Sequence, residues 1–365
     1  MNSTGRWLLV VGVAAALVAA PIVVRVLPAS GSDVTAAALG ERIAASSSVP
    51  WSGEVRTRGT LQVPDTDSFG GVVDLLGESK TLRVWWRDAT HWRVDDTRQT
   101  GESDLVRDDT SLTRWVFESG TATITPYATV RLPDTSDVLP SRLAARLLGG
   151  ATTDELSRLP SRRVAGRSAA GLRLTPADPA STIDRADVWA DEESGLPLRV
   201  EVYGKGDVLP VVTSALTDVD LDRPSADVTT FEVPATATVR RRDVIDVAAG
   251  ANAFAPFELP AEVAGLERTG DEDELGAVGV YGRGPTALIV IPLRRGLAGQ
   301  VRDQLSTVAS ARGGDAGTAL EVGPLSVLLT EGGRRSRGTF LLAGTVTPET
   351  LAQASTELAQ KVTFR

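Results

Sequence analysis

Between Leu82 and Phe117, four of the chain's seven tryptophans fall in three short runs that alternate like strands. No other stretch restricts the fold as much. In the first run Leu82, Val84 and Trp86 point one way and Arg83, Trp85 and Arg87 the other, the period-two pattern of a strand with one buried face. Trp85 interrupts the polar side. A turn at Asp88-Ala89-Thr90 leads into His91 to Asp95, with Trp92 and Val94 on one face and two charges and the imidazole on the other. A third run, Ser111 to Phe117, carries Trp115 and Phe117 in register. So many large rings on adjacent strands are either the core under a curved sheet or the lining of a hollow one, and the function turns on which.

The N-terminus sets the compartment. From Trp7 to Val24 no residue is charged, and at 1.5 Å per residue that run crosses about 27 Å of a hydrocarbon core roughly 30 Å thick. A basic start before it and a net negative chain after it place the N-terminus inside. Val18-Ala19-Ala20 resembles a signal-peptide cleavage site, but Pro21 follows and the apolar run continues, so an uncleaved membrane anchor is favoured over a cleaved signal peptide. The expectation is a single-pass cell-membrane protein with the remainder outside the cytoplasm.

A chain of 365 residues is long enough for two domains, each with its own core. The formal charge of -9 leaves no electrostatic footprint for nucleic acid and argues against a general binder of anionic membranes. Arginine supplies nearly all the positive charge, lysine being confined to Lys80, Lys205 and Lys361; with abundant Ala, Val, Gly and Asp this suggests a GC-rich bacterial genome. Cysteine is absent, which excludes thiol catalysis, thiolate metal sites and lipidation at a signal-peptide cysteine. A single histidine, His91, excludes a multi-histidine metal site.

After the anchor or signal segment (1–28), a small-residue linker enters an amphipathic helix with Ala36, Leu39 and Ile43 at helical spacing. Strands are expected at Val49 to Val55 and Gly59 to Val63, then a loop about Pro64 to Gly71 and a short apolar run from Val72 to Leu76. Ser141 to Leu148 reads as a helix closed by Gly149-Gly150, and Thr153 to Leu159 as a second one stopped by Pro160. Strands resume near Arg163, Gly171, Ala186, Leu198 and Val211, with Asp191 to Gly195 a turn by composition. The first domain is placed at 29–235, and Pro224, Pro234 and Arg240-Arg241-Arg242 mark the boundary. The second domain, 244–365, reads as smaller and α+β. Its helices carry the stripes Leu297, Val301, Leu305, Val308 and Leu351, Ala354, Leu358, Val362; Thr347 is a natural N-cap with Pro348 behind it, and Glu331 to Arg335 is a glycine hairpin tip.

Catalysis finds no support. No G-x-S-x-G elbow, Ser-x-x-Lys pair, P-loop or G-x-G-x-x-G is present, and His91 reads as a partly exposed strand histidine. Asp218, Asp220 and Asp222 mimic the first ligands of a calcium loop, but Arg223 and Thr229 occupy the positions that need glycine and a bidentate carboxylate. Asp271 to Glu274 is a solvated charge run. No catalytic, metal or cofactor residue is assigned. Binding remains: a curved sheet capped by helices can enclose an apolar cavity, with Trp51, Trp85, Trp86, Trp92, Trp115, Phe117 and Trp189 as candidate lining. The plainer alternative, that these rings are ordinary core, stays open.

Two stretches resemble a known superfamily. Val164-Ala165-Gly166-Arg167, through Leu172-Arg173-Leu174 and Pro176-Ala177-Asp178, to Asp187-Val188-Trp189-Ala190-Asp191 and Gly195-Leu196-Pro197-Leu198-Arg199 is similar to the paired strands of LolA-like lipoprotein carriers and RseB-like (MucB-type) sigma-E regulators. Ala277 to Leu293 and Gly338 to Leu351 resemble the smaller C-terminal domain of the RseB-like proteins. The resemblance implies an α+β fold: a curved antiparallel half-barrel of eleven strands closed by helices, then a smaller α+β domain. It also implies an acyl-chain or lipoprotein ligand and a membrane-anchored anti-sigma factor as partner. The relatives are soluble, so the expected tether at residues 7–24 favours a fixed sensor over a shuttling carrier. The alternative is an envelope-assembly or structural protein with no ligand cavity.

Overall fold

The computed structural model describes residues 31–61, 77–99, 101–127, 131, 133–241, 257–270, 275, 277–308, 311–314, 316–331 and 338–364. The anchor expected at 7–24, the loop and apolar run from 64 to 76, and the hairpin tip at 332–335 lie outside them. Among the described residues no helix is long and apolar enough to cross a membrane.

Alternating sequence builds one large sheet. Its strands are β1 (Trp51–Gly59), β2 (Ser79–Trp86), β3 (Trp92–Arg98), β4 (Gly101–Arg107), β5 (Ser111–Val116), β6 (Thr121–Pro126), β7 (Leu156–Val164), β8 (Arg167–Leu174), β9 (Ile183–Asp191), β10 (Pro197–Gly204), β11 (Val212–Asp220) and β12 (Thr238–Arg241). They lie in the order β12-β6-β5-β4-β3-β2-β1-β11-β10-β9-β8-β7. All pairings are antiparallel except β12 on β6. The fold is thus α+β with a large, mostly antiparallel sheet, and it reaches past the expected limit at 235, because Arg240 and Arg241 lie in β12.

Two expected elements differ. The strand expected at Val49 to Val55 runs on to Gly59 in β1, because Arg56 and Arg58 face outward while Thr57 is buried and the alternation does not break; the end of the strand expected at Gly59 to Val63 lies outside the described residues. Thr153 to Leu159 is not a helix: after a single 3-10 turn, Thr153–Glu155, the chain enters β7. The Thr152 hydroxyl and amide both donate to the Glu155 carboxylate, which also accepts from the Ala177 amide and is thereby turned away from solvent. Pro160 is tolerated because β7 is an edge strand with a register shift at that point.

Helices cover one face. In α1 (Ala36–Ala45) the Thr35 side chain accepts from the Ala38 amide, and Leu39 and Ile43 are buried. In α2 (Pro140–Leu148) proline begins the helix and Ala144 and Leu147 face inward. The turn between β9 and β10 needs Gly195: its φ is +73°, and a Cβ there would meet the Arg42 carbonyl oxygen of α1 at 2.5 Å.

The second unit has β13 (Phe257–Glu258), β14 (Glu262–Val263), β15 (Leu266–Thr269), β16 (Gly279–Arg283), β17 (Thr286–Leu293), helix α3 (Arg295–Ser306), β18 (Arg312–Gly314), β19 (Gly317–Val322), β20 (Leu325–Thr330), β21 (Thr339–Gly344), helix α4 (Pro348–Lys361) and β22 (Thr363–Phe364). Eight strands form a sheet in the order β14-β15-β16-β17-β21-β20-β19-β18, and β13 pairs with β22. Thr347 caps α4 as its sequence predicts, accepting from the Thr350 amide. In α3 Val301 and Leu305 are buried while Leu297 is 49% exposed.

The units do not keep wholly separate cores, contrary to expectation. One apolar cluster joins Leu39, Ile43, Leu147, Leu172 and Val200 of the first to Val301, Leu305, Leu320 and Leu329 of the second. Polar contacts close the same junction: the Thr182 amide donates to Thr345, the Thr347 amide donates to Ala180, and Arg283 grips Glu155 at 2.7 Å.

Candidate functional site

The sheet register sorts the candidate aromatics. Trp51 on β1 is the direct partner of Trp86 on β2, and Trp86 that of Trp92 on β3, so three indoles form a ladder on the helix-covered face. Trp86 and Trp92 are stacked, with centroids 5.7 Å apart and planes 6° apart. Val84, Val94, Leu105 and Leu139 pack with them. Among the described residues the indole N–H groups of both Trp51 and Trp92 are buried without a hydrogen-bond partner, an unusual state for a buried tryptophan.

The other candidates stand elsewhere. Trp85, next to Trp86, points to the opposite face, where the guanidinium carbons of Arg83 and Arg93 each lie 5.6 Å from its ring. Trp115 shares that face and packs on Phe231 at 5.7 Å. Phe117 lies just beyond β5 and is 67% exposed. Trp189 is buried but faces away from its neighbour Val188; its N–H donates to the Pro160 carbonyl, and the Arg162 guanidinium carbon sits 4.0 Å from its ring. Trp51, Trp86 and Trp92 thus form one cross-strand ladder, and Trp189 joins the same buried apolar cluster from another strand.

Sequence reading missed the rim of that ladder. Arg142 of α2 reaches to 5.9 Å from the Trp86 ring, and the Arg107 guanidinium carbon stacks 3.9 Å from the Tyr127 ring. Burial would raise the Tyr127 hydroxyl's pKa, but hydrogen bonds and charge from Arg142 and Arg131 hold it below the usual phenol range. The signal available was arginine clustering on either side of α2's start, which periodicity alone does not bring to Tyr127.

Residues 221–241 form a strap over the face opposite the helices. Arg223 pairs with Asp88 at 3.3 Å, Phe231 covers Trp115, and β12 ends the strap on β6. On that face Asp95 and Asp104 are direct cross-strand partners, and Arg93 donates to both, at 2.6 and 2.8 Å. Asp104 is pushed up to about 7, first by burial and then by the Asp95 carboxylate, against the pull of Arg93. With Glu102 these two could present oxygens within 4.8 Å of one another to a cation, although Arg93 already supplies a positive charge there. His91 lies in the turn before β3, not in the strand; its Nδ1 is 3.0 Å from Asp88 and its Nε2 3.6 Å from Asp109. That arrangement fastens two hairpin turns, and the Thr90 hydroxyl, 3.1 Å from Nδ1, donates to the same Asp88 carboxylate. A groove of about 210 Å³ lies in the second unit, between β18 to β20 and the start of α4, away from the tryptophans.

Residues 118–237 match the model of the MucB/RseB N-terminal domain. That stretch is thus similar to a MucB/RseB N-terminal domain. The match runs from the end of β5 through α2 and β7 to β11 and takes in most of the strap. Among solved structures, the chain is similar to the Pseudomonas aeruginosa MucA/MucB complex, at 16% identity over 90% of this chain and 99% of that one, with a TM-score of 0.48. MucB in complex with MucA(peri) gives the same identity, coverage and TM-score. A LolA superfamily protein from Nitrosomonas europaea is similar at 13% identity over 54% of this chain and 98% of that one, with a TM-score of 0.26. No curated protein matches the chain.

Proposed function

We propose that this MucB/RseB-like protein is a non-catalytic, extracytoplasmic sensor that binds an acyl chain or lipoprotein on the helix-covered face of its large sheet. It regulates a sigma factor through a membrane-anchored anti-sigma partner. The observation that carries this reading is the MucB/RseB domain match over residues 118–237. The ligand would lie along the Trp51, Trp86 and Trp92 ladder, whose unpaired indole N–H groups are suited to an acceptor on a bound molecule. Trp85, Trp115, Phe117 and Trp189 would frame the sheet without touching the ligand. The uncharged run from residue 7 to 24 would tether the protein, so that it reports on passing lipid and does not ferry it.

The test is deletion of the gene followed by transcript profiling. A shift confined to the promoters of one extracytoplasmic sigma factor is the expected result; an unchanged sigma-factor programme under envelope stress would overturn the regulatory role. A second reading is an envelope-assembly protein with a solid sheet. It is favoured by the close packing of the tryptophan ladder, where Trp51 and Trp92 are 1% and 0% exposed. A dry, ligand-free face in protein purified from its own membrane would support it.

A further inference from the structure

The groove of the second unit exists because small residues stand where side chains would fill it. On the face that packs against α4, strands β18 and β19 set Gly314 against Gly317 and Arg312 against Ala319. Leu328 of β20 and Leu351 of α4, both buried, make the floor, and the start of α4 at Pro348 and Ala352 makes the far wall.

The two facing glycines differ. Gly317 has a φ of +134°, and a Cβ there would collide with the Leu329 carbonyl oxygen, so the backbone demands glycine. Gly314 has no positive φ, and a Cβ on it, as on Gly313, would meet nothing within 4 Å. The surrounding chain places no demand on Gly314, although glycine weakens a strand; within strands it marks places where a ligand or another backbone comes close.

β18 is also an edge. It ends the eight-stranded sheet, is three residues long and is exposed throughout. Among the described residues no strand lies beside its outer main-chain groups, the condition for a further strand to add. A short edge carrying a charge is a common guard against such pairing, but a guard needs no groove behind it. This groove holds about 210 Å³, where an apolar cavity of about 150 Å³ already admits benzene. One side chain of leucine or phenylalanine size fits.

Charge and register restrict the rest. Arg312 is exposed and makes no ion pair among the described residues. Glu321 also lines the groove but stands on β19, so a segment laid along β18 has Arg312 roughly 4.8 Å away across one strand spacing and Glu321 across roughly two. Arg312 and Gly314 face the same way, two residues apart. On an antiparallel partner, the residue opposite Gly314 comes two before the residue opposite Arg312 and shares its face.

We propose that the β18 edge and the groove beside α4 bind an extended segment of a partner protein with the pattern apolar-x-acidic. The segment adds to β18 as an antiparallel strand, seats its apolar side chain over Gly314 and pairs its carboxylate with Arg312. The site lies away from the tryptophan ladder and stands whether or not that ladder meets a ligand.

The test uses the full chain and a fluorescein-labelled hexapeptide, Thr-Thr-Leu-Thr-Asp-Thr, read by fluorescence anisotropy, with amide exchange followed by mass spectrometry on the same complex. Saturable binding with slowed exchange across β18 is the expected result. Gly314→Leu fills the groove at a point where a Cβ meets nothing, so the melting temperature should hold while binding weakens at least tenfold, on the scale of burying one apolar side chain. Arg312→Glu should weaken the Asp probe about threefold and strengthen the same peptide with Lys in place of Asp. A probe N-methylated along its backbone should not bind. Absence of saturable binding at millimolar probe, undiminished binding to Gly314→Leu, or equal affinity for the N-methylated probe would each overturn the site. If Gly314→Leu melts lower, the charge swap decides: an unchanged preference for Asp over Lys in Arg312→Glu overturns it. A dimer in light scattering that Gly314→Leu dissolves and the peptide does not displace would assign this edge to a second copy of the chain and overturn the partner segment.

Discussion

The tryptophan ladder separates neighbours that sequence places side by side. Trp92 is fully buried and stacked on Trp86, so Trp92→Ala should cost about 3–5 kcal/mol in denaturant unfolding. Trp85→Ala, on the arginine-lined opposite face, should cost under half as much. Alternation made this split legible, since residues 85 and 86 cannot share a face. It also carried a signal that apolar residues obscured: Lys80 keeps step with Leu82 and Val84, and Asp96 with Val94, so both belong to the buried row. What no periodicity reveals is that Asp104 lands against Asp95, because strand partners are chosen by tertiary register. Asp104 ionises at about 7 in the folded protein against an ordinary 3.8. Over that interval the folded form keeps a proton the unfolded chain has lost, so this group's contribution to stability falls as pH rises from about 4 toward 7. Asp104→Asn, which still offers Arg93 an acceptor, should remove that slope. It should also melt higher than the wild type at pH 7.5, by an equivalent of roughly 1–2 kcal/mol; equal melting curves from pH 5 to 7.5 would contradict this.

Among the elements, the strap from 221 to 241 was the least legible. Its prolines suggest a boundary, and no hydrophobic period shows that Phe231 is set on Trp115 or that Thr238 to Arg241 joins β6. Phe231→Ala should uncover Trp115 and destabilise by about 1–2 kcal/mol, seen as faster amide exchange in β5 and β6 with α4 unaffected. The helices were easier to read: Ala36, Leu39 and Ile43 show their period, and because capping is local Thr347 begins the helix its sequence predicts. The expected helix from Thr153 stops after one 3-10 turn, where Glu155 is held by Arg283 from 128 residues away. A local helical pattern cannot foresee a distant partner that holds the chain after one turn.

At the scale of the whole molecule, the two units share apolar core and an ion pair in which Glu155 is buried and Arg283 is partly exposed. Burial opposes ionisation of Glu155, but the Arg283 hydrogen bond and the Ala177 and Thr152 amides bring it down to about 2. Its folded value lies below the ordinary 4.5, so its contribution is complete above pH 4.5 and is lost as pH falls from there toward 2. Small-angle scattering should show the units loosening over that interval, and Arg283→Ala should bring the loosening to higher pH; a profile unchanged down to pH 2 would count against the junction. The most direct measurement is native mass spectrometry of the full chain purified from its own membrane. An acyl lipid retained in substoichiometric to equal amount, together with a membrane partner, is the predicted spectrum. A bare polypeptide mass with neither lipid nor partner would contradict the account.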